Sequence, residues 1–498
     1  MRSDAGPKEE TVTFEREAPG VPGVPVVIVG GGLAGLVCAN RLVELGERPV
    51  VLERGEAQDY PCNSRFSGGI VHLAFKDLTR PREELEEALA RVLEDEPATA
   101  GASILAEDAG RALQWLRAHG AKFVKGGALE FMRWILAPPR PRRPGLEWRG
   151  RGPDVLLRNL TRALEDGGGR IVRGAQARSL ELGPAREVEA VTVETGSGAV
   201  RWPARSVVIA DGGFQGNLEM VRRYLCARPE ALFQRGAGTG RGDGLQMARE
   251  AGAAMVGMDR FYGHLLGRSV FRNEKLWPYP TVDALAQASL IVDGGGRRFV
   301  DEGRGGVYMA NRVARLEDPL SATVVFDSVA WREVGADNRY PPSMNPAFVE
   351  CGGEVFEAAD LGALAALVSV PGAALEATVG TLNAAIEHGD PGGLEPPRSL
   401  GPIAPRTCAV PPFYAIPVCA GLTYTMGGVA IDDRCRVTGE DGSVLRGLYA
   451  VGSASGGMEG GRNAAYLGGL VKAVVTGLRA AESLGAEAGA AGGDRTRR

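Results

Sequence analysis

The stretch VVIVGGGLAGL, residues 26–36, decides the fold. Val26–Val29 is a run of apolar β-branched residues and predicts a short buried strand. Gly30, Gly32 and Gly35 follow in G-x-G-x-x-G spacing, and the Ala/Leu-rich run from Leu33 to about Gly46 predicts a helix. Val50–Glu53 reads as a second strand. A glycine triplet alone is weak evidence. Set between a strand and a helix, with an acidic residue closing the next strand, it marks a βαβ dinucleotide site.

Each position has a physical task. Gly30 permits the tight strand-to-helix turn, Gly32 lets backbone approach a pyrophosphate, and Gly35 lets helix and strand pack closely. Leu33 and Ala34 open the helix, whose free N–H groups and partial positive charge face the diphosphate. Glu53 is placed to accept from ribose hydroxyls, and its charge disfavours a 2′-phosphate. The motif by itself does not separate FAD from NAD.

Composition narrows the classes. The chain has 498 residues, 44% hydrophobic and 24% charged, which suits a globular protein of two or three cores. Its 72 glycines are about twice the usual share of roughly 7%. They show no triplet period and gather at 30–35, 212–216, 236–244, 294–306 and 452–469, as tight turns and close approaches to a ligand do. A net charge of −4 lacks the basic footprint of a nucleic-acid binder. Seven cysteines without a CxxC pair argue against a disulfide framework, an iron–sulfur cluster or a c-type haem. Four scattered histidines give no metal site. The first twenty residues are charged, without a signal-peptide core. No apolar run approaches the ~18 residues of a membrane span, so the expected location is cytoplasmic.

Along the chain, residues 1–22 read as a flexible arm. Residues 81–97 and 103–119 have helical periodicity. The stretch APPRPRRPGLEWRGRG (137–152) reads as an exposed, solvated loop, with a docking or substrate-entrance role as the alternative. A helix is predicted over Asp154–Asp166, a strand over Arg170–Val172, a hairpin over 187–194 and 199–203, a strand over Ser206–Ala210 and a helix over Gly242–Ala251. From about 262 to 400 aromatics and prolines increase and alternation becomes irregular. The predicted architecture is α/β: a discontinuous Rossmann-like domain (23–261 and 401–483), an inserted α+β capping domain (262–400), and a disordered tail (484–498).

Four further segments carry a family resemblance: SRFSGGI (64–70), ADGGFQGNLEMVRRYL (210–225), GTGRGDGLQMAREAGA (238–253) and TYTMGGVAID…GLYAVGSASGG (423–457). Together they resemble the FAD-dependent oxidoreductase 2 superfamily, the fumarate reductase and succinate dehydrogenase flavoproteins, which includes 3-ketosteroid dehydrogenases and urocanate reductase. FQRGAGTGRGDGL, RRFVDEG and PPFYAIPVCAGLTYTMGGVAI look most like its tricarballylate dehydrogenase branch. The resemblance implies a glutathione-reductase-type FAD domain. Ser67, Gly68 and Gly69 would cross the pyrophosphate and the isoalloxazine edge, and Asp211, Gly212 and Gly213 would end a strand against the cofactor. Arg54, Ala177 and Leu467 join the implied contacts. Gly452, Ser453 and Ser455 would precede a helix starting near Ala464, whose amino end faces flavin N1 and O2. Covalent members carry a histidine shortly before the first glycine pair. Pro61–Phe66 has none, and His72 lies on the far side, so the expectation is non-covalent FAD.

The resemblance also implies hydride transfer between flavin N5 and a carbon beside a carboxylate or carbonyl, with a proton moved on the adjacent carbon. Here the sequence departs from fumarate reductases. Tyr424 stands where they have a histidine before Thr-Met-Gly-Gly. Arg304 is a shifted counterpart of the proton-transferring arginine, with Arg312 the second choice. Tyr466 directly precedes Leu467-Gly468-Gly469, and the nearest arginine is Arg462. His264 lies where members contact substrate. A dedicated four-carbon dicarboxylate enzyme is therefore disfavoured. The implied function is an FAD-dependent dehydrogenase or reductase acting on a CH–CH or C=C bond of a small carboxylate or ketone, passing electrons to a quinone, a protein or O2. The alternatives are a ketosteroid-type dehydrogenase, using Tyr262, Tyr308, Tyr424 and Tyr466, or a flavin-binding electron carrier without turnover.

Overall fold

The computed structural model describes residues 25–94, 101–141, 143–337 and 342–495; the arm expected over 1–22 lies outside them. Val26–Val29 is a central strand of a six-stranded sheet. The strand order is Arg436–Thr438, Val444–Ala450, Ser206–Ile209, Val26–Val29, Val50–Glu53, Arg170–Arg173. All neighbours are parallel except the first pair. Burial on both faces explains why the inner strands Val26–Val29, Val50–Glu53 and Ser206–Ile209 are near-continuous apolar runs.

Side chains of a strand alternate between faces, and here the two faces feed different cores. Val26 and Ile28 pack with the helices Leu33–Glu44, Gly152–Asp166 and Gly469–Arg495. Val27 and Val29 pack against the antiparallel strands Gln176–Leu182, Val188–Thr195 and Gly198–Pro203, which contain the predicted hairpin. The glycine spacing has a steric basis. A Cβ at Gly35 would lie 2.1 Å from the Gly30 carbonyl oxygen, and one at Gly30 would lie 2.6 Å from that of Ala210. Gly30 also has φ of 108°, a region that favours glycine.

A second sheet forms the cap. Its spine is the long strand Phe413–Thr425. Thr323–Asp327, Phe261–Gly267 and Phe356–Ala358 pair with it antiparallel, and Phe233–Gln234 pairs parallel. This corrects the expected domain division. Residues 413–425 do not rejoin the dinucleotide domain at 401; they hold the cap together, and the chain returns to the first sheet only at Arg436. An apolar run has the same composition in either sheet, and long-range pairing decides its membership.

Two helix bounds also differ from expectation. The helix expected near Ala464 begins at Gly469. Before it, Ala464 and Gly468 have φ of 48° and 120°, which keeps that segment out of a right-handed helix. The tail expected to be disordered from 484 is helical as far as Arg495, because Leu484 is buried in the same core as Leu42 and Leu478. No helix among the described residues is long and apolar enough to cross a membrane.

The Gly35 contact yields a direct test. Gly35→Val forces the first turn of the helix away from its strand and is expected to cost about 1–3 kcal/mol, as overpacking does. Urea denaturation should show a lower midpoint with an unchanged slope, and the purified variant should retain less cofactor than the wild type.

Candidate functional site

The carboxyl ends of Val26–Val29, Val50–Glu53 and Ser206–Ile209 open into a cavity of about 1140 Å³, which continues beneath the cap. That exceeds the roughly 300–1,000 Å³ of an ordinary ligand pocket and leaves room for a dinucleotide and a substrate. Of the expected cofactor contacts, Gly30, Gly32, Leu33, Ala34, Glu53, Arg54, Ser67, Gly68, Gly69, Ala177, Asp211, Gly212, Gly213, Gly452 and Ser453 line it. Three do not. Gly35 lies behind, packed on Gly30; Leu467 is a core residue; Ser455 is buried, its hydroxyl donating to the Gly452 carbonyl at 2.8 Å.

The dinucleotide end fits FAD on its own geometry. The helix Leu33–Glu44 has Gly32 at its N-cap, which brings no capping side chain of its own; Leu33 N donates to Ser64 Oγ at 3.0 Å, and the next first-turn amides remain for a diphosphate. A Cβ on Gly32 would meet only Ser64 Oγ, at 3.6 Å, and one on Gly212 nothing within 4 Å. Bare backbone here borders open space. Glu53 accepts from Gly31 N at 2.9 Å and Gly55 N at 2.7 Å, so the turn itself holds the carboxylate in place. Arg54 is fixed by Asp243 and the Thr239 carbonyl.

Asp211 is the unusual group at this end. Its Oδ2 accepts from Gly244 N at 2.8 Å, while its buried Oδ1 has no hydrogen-bond partner. Burial, with nearby Asp243 adding to it, pushes its carboxyl up to about 7 despite the Gly244 bond. Cofactor hydroxyls are suitable donors for such a group.

The other end of the cavity is a wall of phenols. Tyr262 stacks on Tyr466 with centroids 3.9 Å apart, and Tyr424 lies 5.4 Å from Tyr262. Thr425 Oγ1 accepts from Phe214 N at 3.1 Å. That bond ties the cap's spine to the Asp211–Gly213 turn and brings Tyr424 to the cavity. The Tyr424 hydroxyl lies 3.1 and 3.0 Å from the two Glu459 carboxylate oxygens. Glu459 is paired at 3.1 Å with Lys472, and both are buried, with side-chain exposures of 0% and 1%. Lys472 also donates to the Ser455 carbonyl at 2.8 Å. Ser455 thus serves the ion pair through its carbonyl.

The predicted catalytic residues separate on this geometry. His264, Arg304, Tyr424 and Tyr466 line the cavity; Arg462 is exposed and off the lining. Tyr424 is tied to the buried ion pair. Burial and then Glu459 raise its phenol well above the usual range, and the carboxylate it donates to is itself paired with Lys472. Arg304 is held by Glu94, Asp301 and Asn463. His264 Nε2 is 3.0 Å from the Tyr262 hydroxyl, and its Nδ1 contacts Asp283 Oδ2. Arg312 does not line the cavity. His72 does, and burial lowers its imidazole to about 4.

Several groups were not singled out from sequence. Arg140 and Arg235 line the cavity beside Tyr279. Arg140 belongs to the Pro/Arg-rich stretch read as a solvated loop; its guanidinium instead turns inward. Arg235 sits inside FQRGAGTGRGDGL, the segment carrying the branch resemblance, where its signal was available. Asp283, Glu459 and Lys472 had no local signal.

Two outcomes test this geometry. Lys472→Met leaves Glu459 buried and unpaired, and chemical denaturation should show about 3–5 kcal/mol of lost stability; adding Glu459→Gln should recover part of it. Asp211 gives a pH dependence of defined sign. Its folded-state value exceeds that of the unfolded chain, so its stabilising contribution is full below about 3.8 and lost as pH rises through about 7. Thermal melts of cofactor-free protein between those limits should show Asp211→Asn removing that fall.

Comparisons with known proteins agree with the site. The FAD binding domain family matches residues 25–465. The NADH:acrylate oxidoreductase of Vibrio harveyi is 28% identical over 375 residues, 70% of this chain and 33% of that protein. The chain therefore spans about a third of that relative's length. The cytochrome-type fumarate reductase of Shewanella frigidimarina is 24% identical over 88% of this chain and 73% of its own. The solved 3-ketosteroid Δ1-dehydrogenase of Sterolibacterium denitrificans has the same fold, with a TM-score of 0.70 at 20% identity, covering 93% of this chain and 99% of that one. With a glycine cradle that fits FAD and a family match across most of its length, the chain belongs to the FAD binding domain family.

Proposed function

We propose that the chain is an oxidoreductase acting on a CH–CH or C=C bond beside a carboxylate, on a polyanionic acid of the tricarballylate kind. FAD, when bound, supplies the hydride acceptor or donor. The protein must grip the acid, keep water out and move a proton.

One observation carries the carboxylate reading: two arginines share the substrate end, and among the described residues no carboxylate reaches Arg140. Its Nε and Nη2 are buried without hydrogen-bond partners. Burial, and the like charge of Arg235, lower its guanidinium to about 10 despite the phenol of Tyr279. Arg235 is oriented by bonds from Nε and Nη2 to the Pro278 carbonyl at 3.2 and 3.1 Å and from Nη1 to Thr423 Oγ1 at 2.9 Å. A carboxylate between the two guanidiniums would offset their repulsion and satisfy Arg140. The displaced family clamp at Arg462 and Tyr466 is thus replaced, in this reading, by Arg140 and Arg235.

A second reading, a ketosteroid-type dehydrogenase, rests on the stacked Tyr262–Tyr466 pair and the aromatic flank of His72, Phe75 and Phe131. The electron acceptor in either reading is external: a quinone, another protein or O2.

Anaerobic mixing of the FAD-loaded protein with candidate substrates separates the readings. Tri- and dicarboxylic acids should bleach the flavin. Arg140→Gln should raise the half-saturating concentration about 10- to 100-fold, the value of a charge-assisted bond, while flavin absorbance before mixing stays unchanged. Bleaching by a 3-ketosteroid alone would favour the second reading, and bleaching by none of them would leave an electron carrier without turnover.

A further inference from the structure

Beside the stacked phenols, on the cavity lining, runs a second set of contacts that the cofactor site does not require. Asp283 Oδ1 accepts from Leu265 N at 2.8 Å, which fixes the carboxylate, and its Oδ2 contacts His264 Nδ1. His264 Nε2 lies 3.0 Å from the Tyr262 hydroxyl. An aspartate on one ring nitrogen keeps the proton there, so the other nitrogen presents its lone pair to the phenol. Both His264 and Asp283 are largely covered, with side-chain exposures of 19% and 12%. Tyr262 and His264 stand on the strand Phe261–Gly267, and Asp283 opens the short helix Asp283–Ala288. The order carboxylate, imidazole, hydroxyl is that of an activated nucleophile or base.

We propose that Tyr262 is the catalytic acid/base of this site, driven through His264 and Asp283 as positioning residues. The proposal rests on the CH–CH oxidoreductase reading above. In the oxidative direction the Tyr262 oxygen takes the proton from the substrate carbon next to the activating carboxylate, while the Tyr262 O–H proton passes to His264 Nε2. The imidazolium so formed is stabilised by Asp283. The electron pair of the broken C–H bond enters the new C=C bond, as the neighbouring carbon gives its hydride to bound FAD. Reduction runs the same transfers backwards.

The surroundings fit a phenol that is protonated at rest and loses its proton only to a partner. Burial, then Tyr466 and Tyr279, raise Tyr262 well above the usual range, Arg235 opposes them, and Asp283 adds to the rise. Of the other two wall phenols, Tyr424 faces Glu459 and Tyr466 accepts from Gly469 N at 3.4 Å. Arg304 is committed to two carboxylates. Tyr262 faces an imidazole, a group able to take its proton.

The test has one arm without substrate and one with it. In ¹⁵N-histidine NMR of the FAD-loaded protein, His264 should be neutral, with its proton on Nδ1 shifted downfield by Asp283, and Asp283→Asn should abolish that shift. In anaerobic flavin reduction by an acid that bleaches the wild type, Tyr262→Phe should lower the rate about 10²- to 10⁴-fold, the range for a general base, with the starting flavin spectrum unchanged. Asp283→Asn should slow flavin reduction as well, with the starting flavin spectrum unchanged. Should Asp283→Asn fail to bind FAD, through its bond to Leu265 N, His264→Gln serves instead: it should slow flavin reduction. Wild-type rates in FAD-loaded Tyr262→Phe, or a His264 proton on Nε2, would overturn the proposal. A wild type bleached by no acid would sink only the carboxylate reading, and the NMR arm would then decide the relay.

Discussion

The close approach of the first helix to the first strand sets the geometry of this molecule. No Cβ fits at Gly35, 2.1 Å from the Gly30 carbonyl oxygen, and the bare backbone lets the helix start directly above the strand's end. The partial positive charge of the helix N-terminus, where Ser64 takes up only the Leu33 amide, then points along the carboxyl edge of the sheet. Ala210 closes against the same turn, so the third strand delivers Asp211, Gly212 and Gly213 to the same edge. Thr425 hydrogen-bonds the amide of Phe214, and through it the cap inherits its position from the glycine turn. Substrate-end residues are thereby referred to the dinucleotide end through three successive contacts.

The electrostatics of the two ends are complementary. At the dinucleotide end, amides face a cavity suited to a diphosphate, and a buried acid is left short of a donor. At the substrate end, the guanidiniums of Arg140 and Arg235 lie among phenols held neutral by burial. Between them, Glu459 and Lys472 neutralise one another out of water and fix Tyr424 in place. Such a pair contributes little net stability, and losing one member is costly. Its value lies in geometry: it binds the loop before the last helix to the wall that Tyr424 belongs to. Neutral phenols and paired charges keep this region at low polarity, where an added carboxylate and a moving proton interact strongly with the few groups left available.

The cofactor end was legible in sequence because its constraints are local. Gly30, Gly32, Gly35 and Glu53 fall within one strand–turn–helix–strand unit, and each has a steric or charge reason readable from spacing. The substrate end was less so. Phe413–Thr425 is apolar enough for either sheet, and only its partners from four separate segments reveal it as the cap's spine. In APPRPRRPGLEWRGRG every arginine looks equally solvated, and nothing local marks Arg140 as turned inward. His264 was visible as a candidate, but its partner Asp283 is nineteen residues away on another element. Arg462 was chosen by proximity to Tyr466, yet the turn between them takes its side chain to the surface while Tyr466 stays inside.

The central claim is that one continuous cavity holds a dinucleotide on the glycine turn and exposes its reactive end to the phenol and arginine wall. A crystal structure of the FAD-loaded protein tests it most directly. The diphosphate should lie over the amides of the first helix, with the isoalloxazine ring reaching the space bounded by Tyr262, Tyr466 and Arg235. A nucleotide bound elsewhere, or a ring directed away from that wall, would contradict it.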